Sequence, residues 1–251
     1  MSVSSAFATD AGAVATNKNL PNEDCATAFL TKNVLYQIIA DGNGSVNDMR
    51  PAGFAINEIQ RYIDEFAQDD MPPEQIKDLI SQACYCANRV LMAYKRANNE
   101  LYTNNNFTTL TMAAVTDDNH FILAHCGDSR LYLIRNGKIL QFTKDHTVAQ
   151  QLCDEGKITK EQVASHADAN ILTSALGFLD PRIATAVGSL TQGDIILAVS
   201  DGIYKLLSPQ MILDVVNLAG NCQDTCDGLI QYANNQGGVD NMSVFVSYIP
   251  E

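Results

Sequence analysis

The chain has 251 residues, of which 46% are hydrophobic and 18% charged. These proportions are typical of a folded globular protein and argue against a disordered or fibrous chain. The formal net charge of −13 argues against a nucleic-acid partner, because proteins that bind a phosphate backbone usually carry a basic patch.

The predicted elements begin with two strands, at residues 24–30 and 34–40, the second rich in β-branched and aromatic residues. Two amphipathic helices follow, at 52–67 and 74–97, and Pro72 and Pro73 lie between them, where a helix start tolerates proline.

A dense β region comes next. We predict strands at 109–115, 121–126, 131–134 and 139–142, and Asn136-Gly137 favours a two-residue hairpin turn with positive φ. A charged helical segment at about 147–166 interrupts the β region. Further strands are predicted near 183–187 and 195–199, helices near 209–218 and 222–235, and a last strand at 242–249. Tight turns between consecutive strands indicate antiparallel sheets, so the predicted class is α+β with layered sheets.

The chain shows no linker and no repeat, so we predict a single domain over residues 1–251. It has no charged-then-apolar leader and no apolar run long enough to span a bilayer, and we therefore expect a cytoplasmic protein with no membrane partner. The seven cysteines lack framework spacing and fit reduced thiols. A metal site at Cys84 and Cys86 is disfavoured, because the two would point to different sides of a helix.

Aspartates recur where predicted strands begin or end, namely at Asp24, Asp41, Asp128, Asp201 and Asp240. A single such aspartate is ordinary, because aspartate commonly starts turns. Five of them brought together by a sheet would repel one another unless cations neutralised them. Carboxylate oxygens are hard ligands that suit Mg²⁺ or Mn²⁺ better than Zn²⁺ or Cu²⁺.

The stretch "QIIADGNGSVND" at residues 37–48 has three interpretations: a tight turn, a calcium loop, or a metal-binding loop of an enzyme. The calcium loop fails because Val46 stands where glycine is required and Ala52 where a bidentate glutamate is required. The recurrence of acids elsewhere favours the enzyme loop over the turn.

Seven ordered blocks carry a resemblance to a known family. They are "NED" (22–24), "ADGNG" (40–44), "TTLT" (108–111), "CGDSRLYLIRNGKILQFTKDHT" (126–147), "ILTSALG" (171–177), "VSDGI" (199–203) and "DNMS" (240–243). In this order the chain resembles the metal-dependent (PPM, type 2C) serine/threonine protein phosphatases in their short bacterial form. The resemblance implies an α-β-β-α sandwich of two antiparallel sheets flanked by helices. It also implies two Mn²⁺ or Mg²⁺ ions, and a flap at about 147–166 that borders the substrate site.

The resemblance also implies roles for residues of the first two blocks. Asp41 would bridge the two metals, and the Gly42 carbonyl would be a further ligand. Glu23 would reach one metal directly or through water, and Asp24 would hold a water beside the metals.

Three acids of the later blocks complete the implied set. Asp201 and Asp240 would ligate the other metal, and Asp128 would belong to a third, weaker site. The implied reaction is hydrolysis of phosphoserine and phosphothreonine in proteins by a water activated between two divalent ions, opposing a serine/threonine kinase.

Departures from the family pattern concern the substrate. Asn43 stands where most members have a histidine thought to protonate the leaving oxygen, and an amide cannot deliver a proton. Asn19, with Lys18 beside it, stands where an arginine usually grips the phosphate, and a lysine lacks the planar guanidinium fork. Two alternatives stay open: an inactive phosphoprotein-binding pseudophosphatase, and a hydrolase of small phosphorylated metabolites.

Overall fold

The computed structural model describes residues 3–45, 49–101 and 105–250. Val46, at which the calcium-loop pattern fails, lies outside these ranges. In chain order the first elements are β1 (Ser4–Asp10), α1 (Ala13–Asn17), β2 (Cys25–Thr31), β3 (Val34–Ala40), β4 (Gly42–Asn43), α2 (Pro51–Phe66) and α3 (Pro73–Ala97).

The middle of the chain contains β5 (Phe107–Thr108), β6 (Leu110–Val115), β7 (His120–Cys126), β8 (Arg130–Arg135), β9 (Lys138–Gln141), α4 (Val148–Asp154) and α5 (Lys160–Val163). The last elements are β10 (Ala184–Ser189), β11 (Ile195–Val199), α6 (Asp201–Tyr204), α7 (Pro209–Leu218), α8 (Cys222–Asn235) and β12 (Met242–Tyr248).

These strands form two five-stranded antiparallel sheets and a small ribbon. The first sheet has the order β1-β12-β11-β8-β9, and the second has the order β10-β7-β6-β3-β2. The ribbon pairs β4 with β5, so that Gly42 lies opposite Thr108 and Asn43 opposite Phe107. Asn136 and Gly137, with φ of 51° and 68°, form the positive-φ turn between β8 and β9 that the sequence predicts.

Alternation along the strands produces three buried layers. On β3, Tyr36 and Ile38 pack against α2 and α3, whereas Ile39 points to the other sheet. The other sheet buries its outer face, which includes Leu197 and Val244, against residues of α7 and α8. Helices therefore cover both outer faces, and the α+β prediction of an α-β-β-α sandwich is confirmed.

One buried polar contact joins the two sheets across the core. Gln37 on β3 is fully buried, accepts a hydrogen bond from the Ser247 hydroxyl on β12, and donates to the Val246 carbonyl at 3.3 Å. A buried amide requires such partners, because an unpaired polar group in a core costs free energy. The contact joins β3, which leads to Asp41, to β12, which follows Asp240.

The structure adds elements that the sequence did not predict. The strand β1 was missed because Ser4–Asp10 is a half-exposed edge strand of small residues without a clear hydrophobic alternation. The ribbon β4-β5 and the four-residue helix α6 were also missed. The single helical segment predicted at 147–166 is instead two short helices, because Thr159 and Gln162 form a capping box that starts a new helix.

Within the described ranges, no helix combines the length and the apolar character that crossing a membrane requires. All seven cysteines are free thiols, and Cys84, Cys126, Cys222 and Cys226 are buried.

Candidate active site

A cavity of about 900 Å³ opens at one end of the sandwich. Acidic side chains line part of it, and these are Glu23, Asp41, Asp128, Asp180, Asp201 and Asp240. The described basic side chains that line it are Lys95 and Lys205. Another part of the wall is apolar and includes Phe107, Ile171, Leu172, Phe178 and Leu179. The cavity therefore combines a strongly acidic region with a surface suited to the apolar parts of a ligand.

Asp41 follows β3 directly, and its backbone is fixed by Thr108, which ends β5, and by Thr109, which follows β5. The Asp41 amide donates to the Thr109 hydroxyl at 3.0 Å, and its carbonyl accepts from the Thr109 amide at 2.8 Å. The Thr108 hydroxyl donates to the same carbonyl at 3.0 Å. These bonds hold Asp41 at the cavity wall. The residue directly follows the strand β3, as the sequence analysis expects.

Asp24 lies behind the cavity wall and does not line it. Its Oδ2 accepts a hydrogen bond from the Ser200 hydroxyl at 2.9 Å, and the Ser243 amide donates to that same hydroxyl oxygen at 2.8 Å. Its other oxygen, Oδ1, is buried and has no hydrogen-bond partner among the described residues. An orphaned buried carboxylate oxygen is rare in folded proteins, so the Oδ1 of Asp24 is an unused hydrogen-bond acceptor.

The remaining acids come from both sheets. Asp128 follows β7 of the second sheet, whereas Asp201 begins α6 directly after β11, and Asp240 precedes β12, both of the first sheet. Glu23 is placed by its backbone amide, which donates to the Asn241 side chain at 2.8 Å. The structure thus brings Glu23, Asp41, Asp128, Asp201 and Asp240 to one cavity. Asp24, which the sequence analysis grouped with the other four aspartates, does not line it.

Crowding of these acids changes their protonation. Burial raises the pKa of Asp24 to about 7, and the charges of Asp201 and Asp240 contribute to that rise. Burial, followed by the charge of Asp201, raises the pKa of Asp128 to about 7. Burial and the charges of Asp24 and Asp201 also raise the pKa of Asp41 well above its usual value. Simultaneous ionisation of these acids is therefore disfavoured unless a cation compensates their charge.

The donor chemistry fits divalent metal ions. Five carboxyl groups and a backbone carbonyl at Gly42 are oxygen donors of the kind that Mg²⁺ and Mn²⁺ prefer, and Asp24 has a free oxygen. In the part of the chain that the structure describes, no three acidic, histidine or cysteine side chains already form a closed ligand set. The agreement with a divalent-metal site therefore rests on the oxygen donors of the cavity and on the negative charge of its carboxylates.

Gly42 is required by close packing. A Cβ at this position would lie 2.5 Å from the Glu23 carbonyl oxygen and 3.2 Å from the Ala52 Cβ. We therefore expect Gly42→Ala to lower the free energy of unfolding by about 2 kcal/mol, because backbone would have to move. Urea unfolding of the metal-free protein measures this change.

Gly53→Ala is the matched control for that substitution. Gly53 lies within α2, and its added Cβ would meet only the Cys25 sulfur at 4.0 Å. We expect it to raise the free energy of unfolding by up to ~1 kcal/mol, because alanine is the better helix former. Equal effects of the two substitutions would contradict the packing argument.

Asn43 lines the cavity from the ribbon β4-β5. Its backbone carbonyl accepts from the Asn106 amide at 2.8 Å, and its side chain is exposed. Two residues after Asp41, the side-chain amide of Asn43 is therefore accessible to a ligand in the cavity.

Lys18 and Asn19, the predicted substrate-binding pair, do not line the cavity. Lys18 is the residue at the C-terminal end of α1, and Asn19 follows with φ of 53°. Both are exposed. They could contact only a substrate that extends beyond the cavity.

The sequence did not single out the two lysines that line the cavity. Lys95, in the last turn of α3, is buried and donates to the carbonyls of Asn105 at 3.1 Å and Gly177 at 3.0 Å. Burial lowers its pKa. Lys205 forms an ion pair with Asp201, four residues earlier. The four-residue spacing of Lys205 and Asp201 is visible in the sequence. The position of Lys95 depends instead on its hydrogen bond to Gly177, which lies 82 residues away in the sequence.

Residues of the predicted flap at 147–166 do not line the cavity. The wall on this side is made instead by Asn170, Ile171 and Leu172, which follow α5. The Val148 amide at the start of α4 donates to the Ile171 carbonyl at 2.9 Å, so the two segments are in contact.

Comparisons of the sequence and of the fold with known proteins identify protein phosphatases as similar to this chain. The family model described as "Protein phosphatase 2C" matches residues 11–236. The chain is 38% identical over 140 residues to the protein phosphatase PhpP of Streptococcus pneumoniae. That alignment covers 55% of this chain and only 56% of the relative.

Solved structures match over nearly the whole chain. The serine/threonine phosphatase of S. agalactiae has a TM-score of 0.87 at 28% identity, with coverage of 98% of this chain and 99% of that one. The catalytic domain of the serine threonine protein phosphatase PstP, solved in complex with two manganese ions, has a TM-score of 0.79 at 26% identity, with 99% of each chain covered.

Proposed function

The chain belongs to the protein phosphatase 2C family, and on that premise we propose that it is a metal-dependent phosphatase of phosphoserine and phosphothreonine in proteins. We further propose that it acts in the cytoplasm, as a single catalytic domain, and opposes a serine/threonine kinase. One observation carries the proposal: carboxylates from both sheets meet at one cavity with more negative charge than its described lysines can offset.

The residues of the acidic region would hold two divalent ions, Mn²⁺ or Mg²⁺. Asp41 and the Gly42 carbonyl, with Glu23, would serve one ion, and Asp41, Asp201 and Asp240 the other. Support comes from the oxygen donors, from the raised pKa values, and from the two manganese ions bound by the similar PstP domain. When bound, such ions offset the phosphate charge and lower the pKa of the attacking water.

The chain's own groups would position the reactants. Asp24, with its free Oδ1, would accept a hydrogen bond from water and so orient it. Thr108 and Thr109 fix the Asp41 backbone, which limits the movement of its carboxylate. The apolar wall around Phe107 and Phe178 would pack against the substrate beyond the phosphate.

In this proposal Asn43 would occupy the position of a proton donor to the leaving oxygen. Its amide can hydrogen-bond to that oxygen but cannot transfer a proton to it. An alkyl phosphate needs such a proton more than an aryl phosphate does, since a phenolate is the more stable leaving group. The peptide reaction should therefore be slow relative to p-nitrophenyl phosphate. Exposed Lys18 and Asn19 would contact only the protein part of a large substrate.

The test is hydrolysis of p-nitrophenyl phosphate and of a phosphothreonine peptide with millimolar Mn²⁺, with Mg²⁺, and after chelation. We expect Mn²⁺- or Mg²⁺-dependent release of phosphate from both substrates, weaker with the peptide, and loss of both activities on chelation. Absence of turnover of either substrate would reject the enzyme and leave a phosphoprotein-binding module. Turnover of small metabolite phosphates without any peptide turnover would reject the protein substrate.

A further inference from the structure

Lys205 lies one helical turn after Asp201 and reaches into the acidic region. Its Nζ contacts Asp201 Oδ2 in an ion pair four residues apart, and its side chain lines the cavity. Asp128 and Asp240 line the same cavity. The ammonium thus lies at the cavity that these three acids share.

Asp128 lines the same cavity as Lys205. The protein itself therefore provides a cation at the cavity that Asp128 faces.

A hydrogen bond from the residue before Lys205 holds Asp128. The Tyr204 hydroxyl donates to Asp128 Oδ2 at 3.4 Å. The Arg130 guanidinium lies 3.8 Å from the centre of the Tyr204 ring and pairs with Asp145 at 2.8 Å. This chain of contacts fixes the Tyr204-Lys205 segment of α6 and its C-terminal end against the β7-β8 turn.

The resemblance to the family implies a third, weaker metal site at Asp128, and the residues present do not fit it. The ammonium pairs with the Oδ2 of Asp201 and leaves the other carboxylate oxygen to the second ion of the proposed pair. A third ion between Asp128 and the Oδ2 of Asp201 would have to displace that ammonium, or bind beside it against like-charge repulsion. A lysine offers three donors and no acceptor, so it cannot itself ligate a metal while protonated.

We propose that the Lys205 ammonium takes the place of the third ion, so that the loaded protein holds two divalent ions and a fixed positive charge. This inference rests on the proposed function, because it presupposes the two-ion site. The lysine also makes the positive charge at this position independent of the concentration of free metal.

Metal stoichiometry tests the inference. Equilibrium dialysis against Mn²⁺, with metal content measured by atomic emission, would be run on the full chain and on Lys205→Asp and Lys205→Met. Lys205→Asp adds an oxygen ligand, and Lys205→Met removes the charge at similar side-chain length. Lys77→Met is the matched control, because Lys77 forms a comparable ion pair with Glu74 on the exposed side of α3.

We expect two Mn²⁺ ions per chain in the unsubstituted protein and in Lys77→Met. We expect a third ion in Lys205→Asp, with a dissociation constant at least tenfold lower than any third ion of the unsubstituted protein. Lys205→Met should also take up a third ion, more weakly than Lys205→Asp. Circular dichroism of the metal-free variants verifies folding.

Two results would overturn the inference while the proposed function stands. One is an active unsubstituted protein that binds three ions as tightly as Lys205→Asp does. The other is a pair of folded Lys205 variants that both hold only two ions. Absence of bound Mn²⁺ in every protein, together with absence of turnover, would overturn the inference and the proposed function alike.

Discussion

Replacing Asp41 by asparagine should lower the Mn²⁺-dependent kcat/KM for p-nitrophenyl phosphate by about 10³-fold, which corresponds to ~4 kcal/mol of transition-state stabilisation. The substitution keeps the shape of the side chain but removes its charge and one oxygen donor. Because the Asp41 carboxylate is crowded by Asp24 and Asp201, the metal-free variant should be as stable as the unsubstituted protein or more stable.

Urea unfolding with and without Mn²⁺ separates these effects. The variant should lose most of the stabilisation that Mn²⁺ gives the unsubstituted protein. Asp180→Asn is the control, since Asp180 lines the same cavity from the loop after Gly177, and it should keep kcat/KM near the original value. If Asp41→Asn retained a tenth or more of the activity, Asp41 would not be the shared ligand of two ions.

Asn43→His should raise the kcat/KM for a phosphothreonine peptide relative to p-nitrophenyl phosphate by about 10²-fold, the lower range of general acid catalysis. The exposed residue Asn43 lines the same cavity as Asp41, and we therefore expect an imidazole placed there to reach the leaving oxygen. The gain should be confined to the peptide, because p-nitrophenolate leaves without protonation.

The ratio of the two kcat/KM values, measured across pH, provides the test. The gain should be present where the introduced imidazole is protonated and lost as pH rises through its pKa. Asn43→Gln retains an amide and should leave the ratio unchanged. An unchanged ratio in Asn43→His would show that slow peptide turnover has another cause than the missing proton donor.

The sequence predicted most of the long elements because their patterns are local. A continuous apolar run predicts the strand Val34–Ala40, and apolar residues at helical spacing predict the helices Pro51–Phe66 and Pro73–Ala97. Neither pattern requires knowledge of the tertiary structure. The ribbon of Gly42–Asn43 with Phe107–Thr108 could not be found in this way. Each strand of the ribbon has only two residues, too few to show a hydrophobic alternation. The residues that pair across the ribbon lie more than 60 positions apart in the sequence.

The site was predictable to the extent that it consists of acids at strand ends. The structure places Glu23, Asp41, Asp128, Asp201 and Asp240 at one cavity, whereas their individual ligand roles stay predictions. The position of Lys18 and Asn19 outside the cavity could not be inferred, because it depends on where the five-residue helix α1 directs the chain. Lys95 was equally hidden, since its partners at Asn105 and Gly177 are set by tertiary packing.

The origin of the acids in two different sheets has a mechanical consequence. Asp24 and Asp41 flank strands of one sheet, and Asp201 and Asp240 flank strands of the other. Cations held between them would crosslink the two sheets at the cavity, while the hydrogen bond between Ser247 and Gln37 joins the sheets within the core. Sliding of one sheet over the other would separate the proposed ligands. The affinity for metal would therefore depend on how the two sheets are aligned. A core substitution far from the cavity could therefore weaken metal binding without touching a ligand.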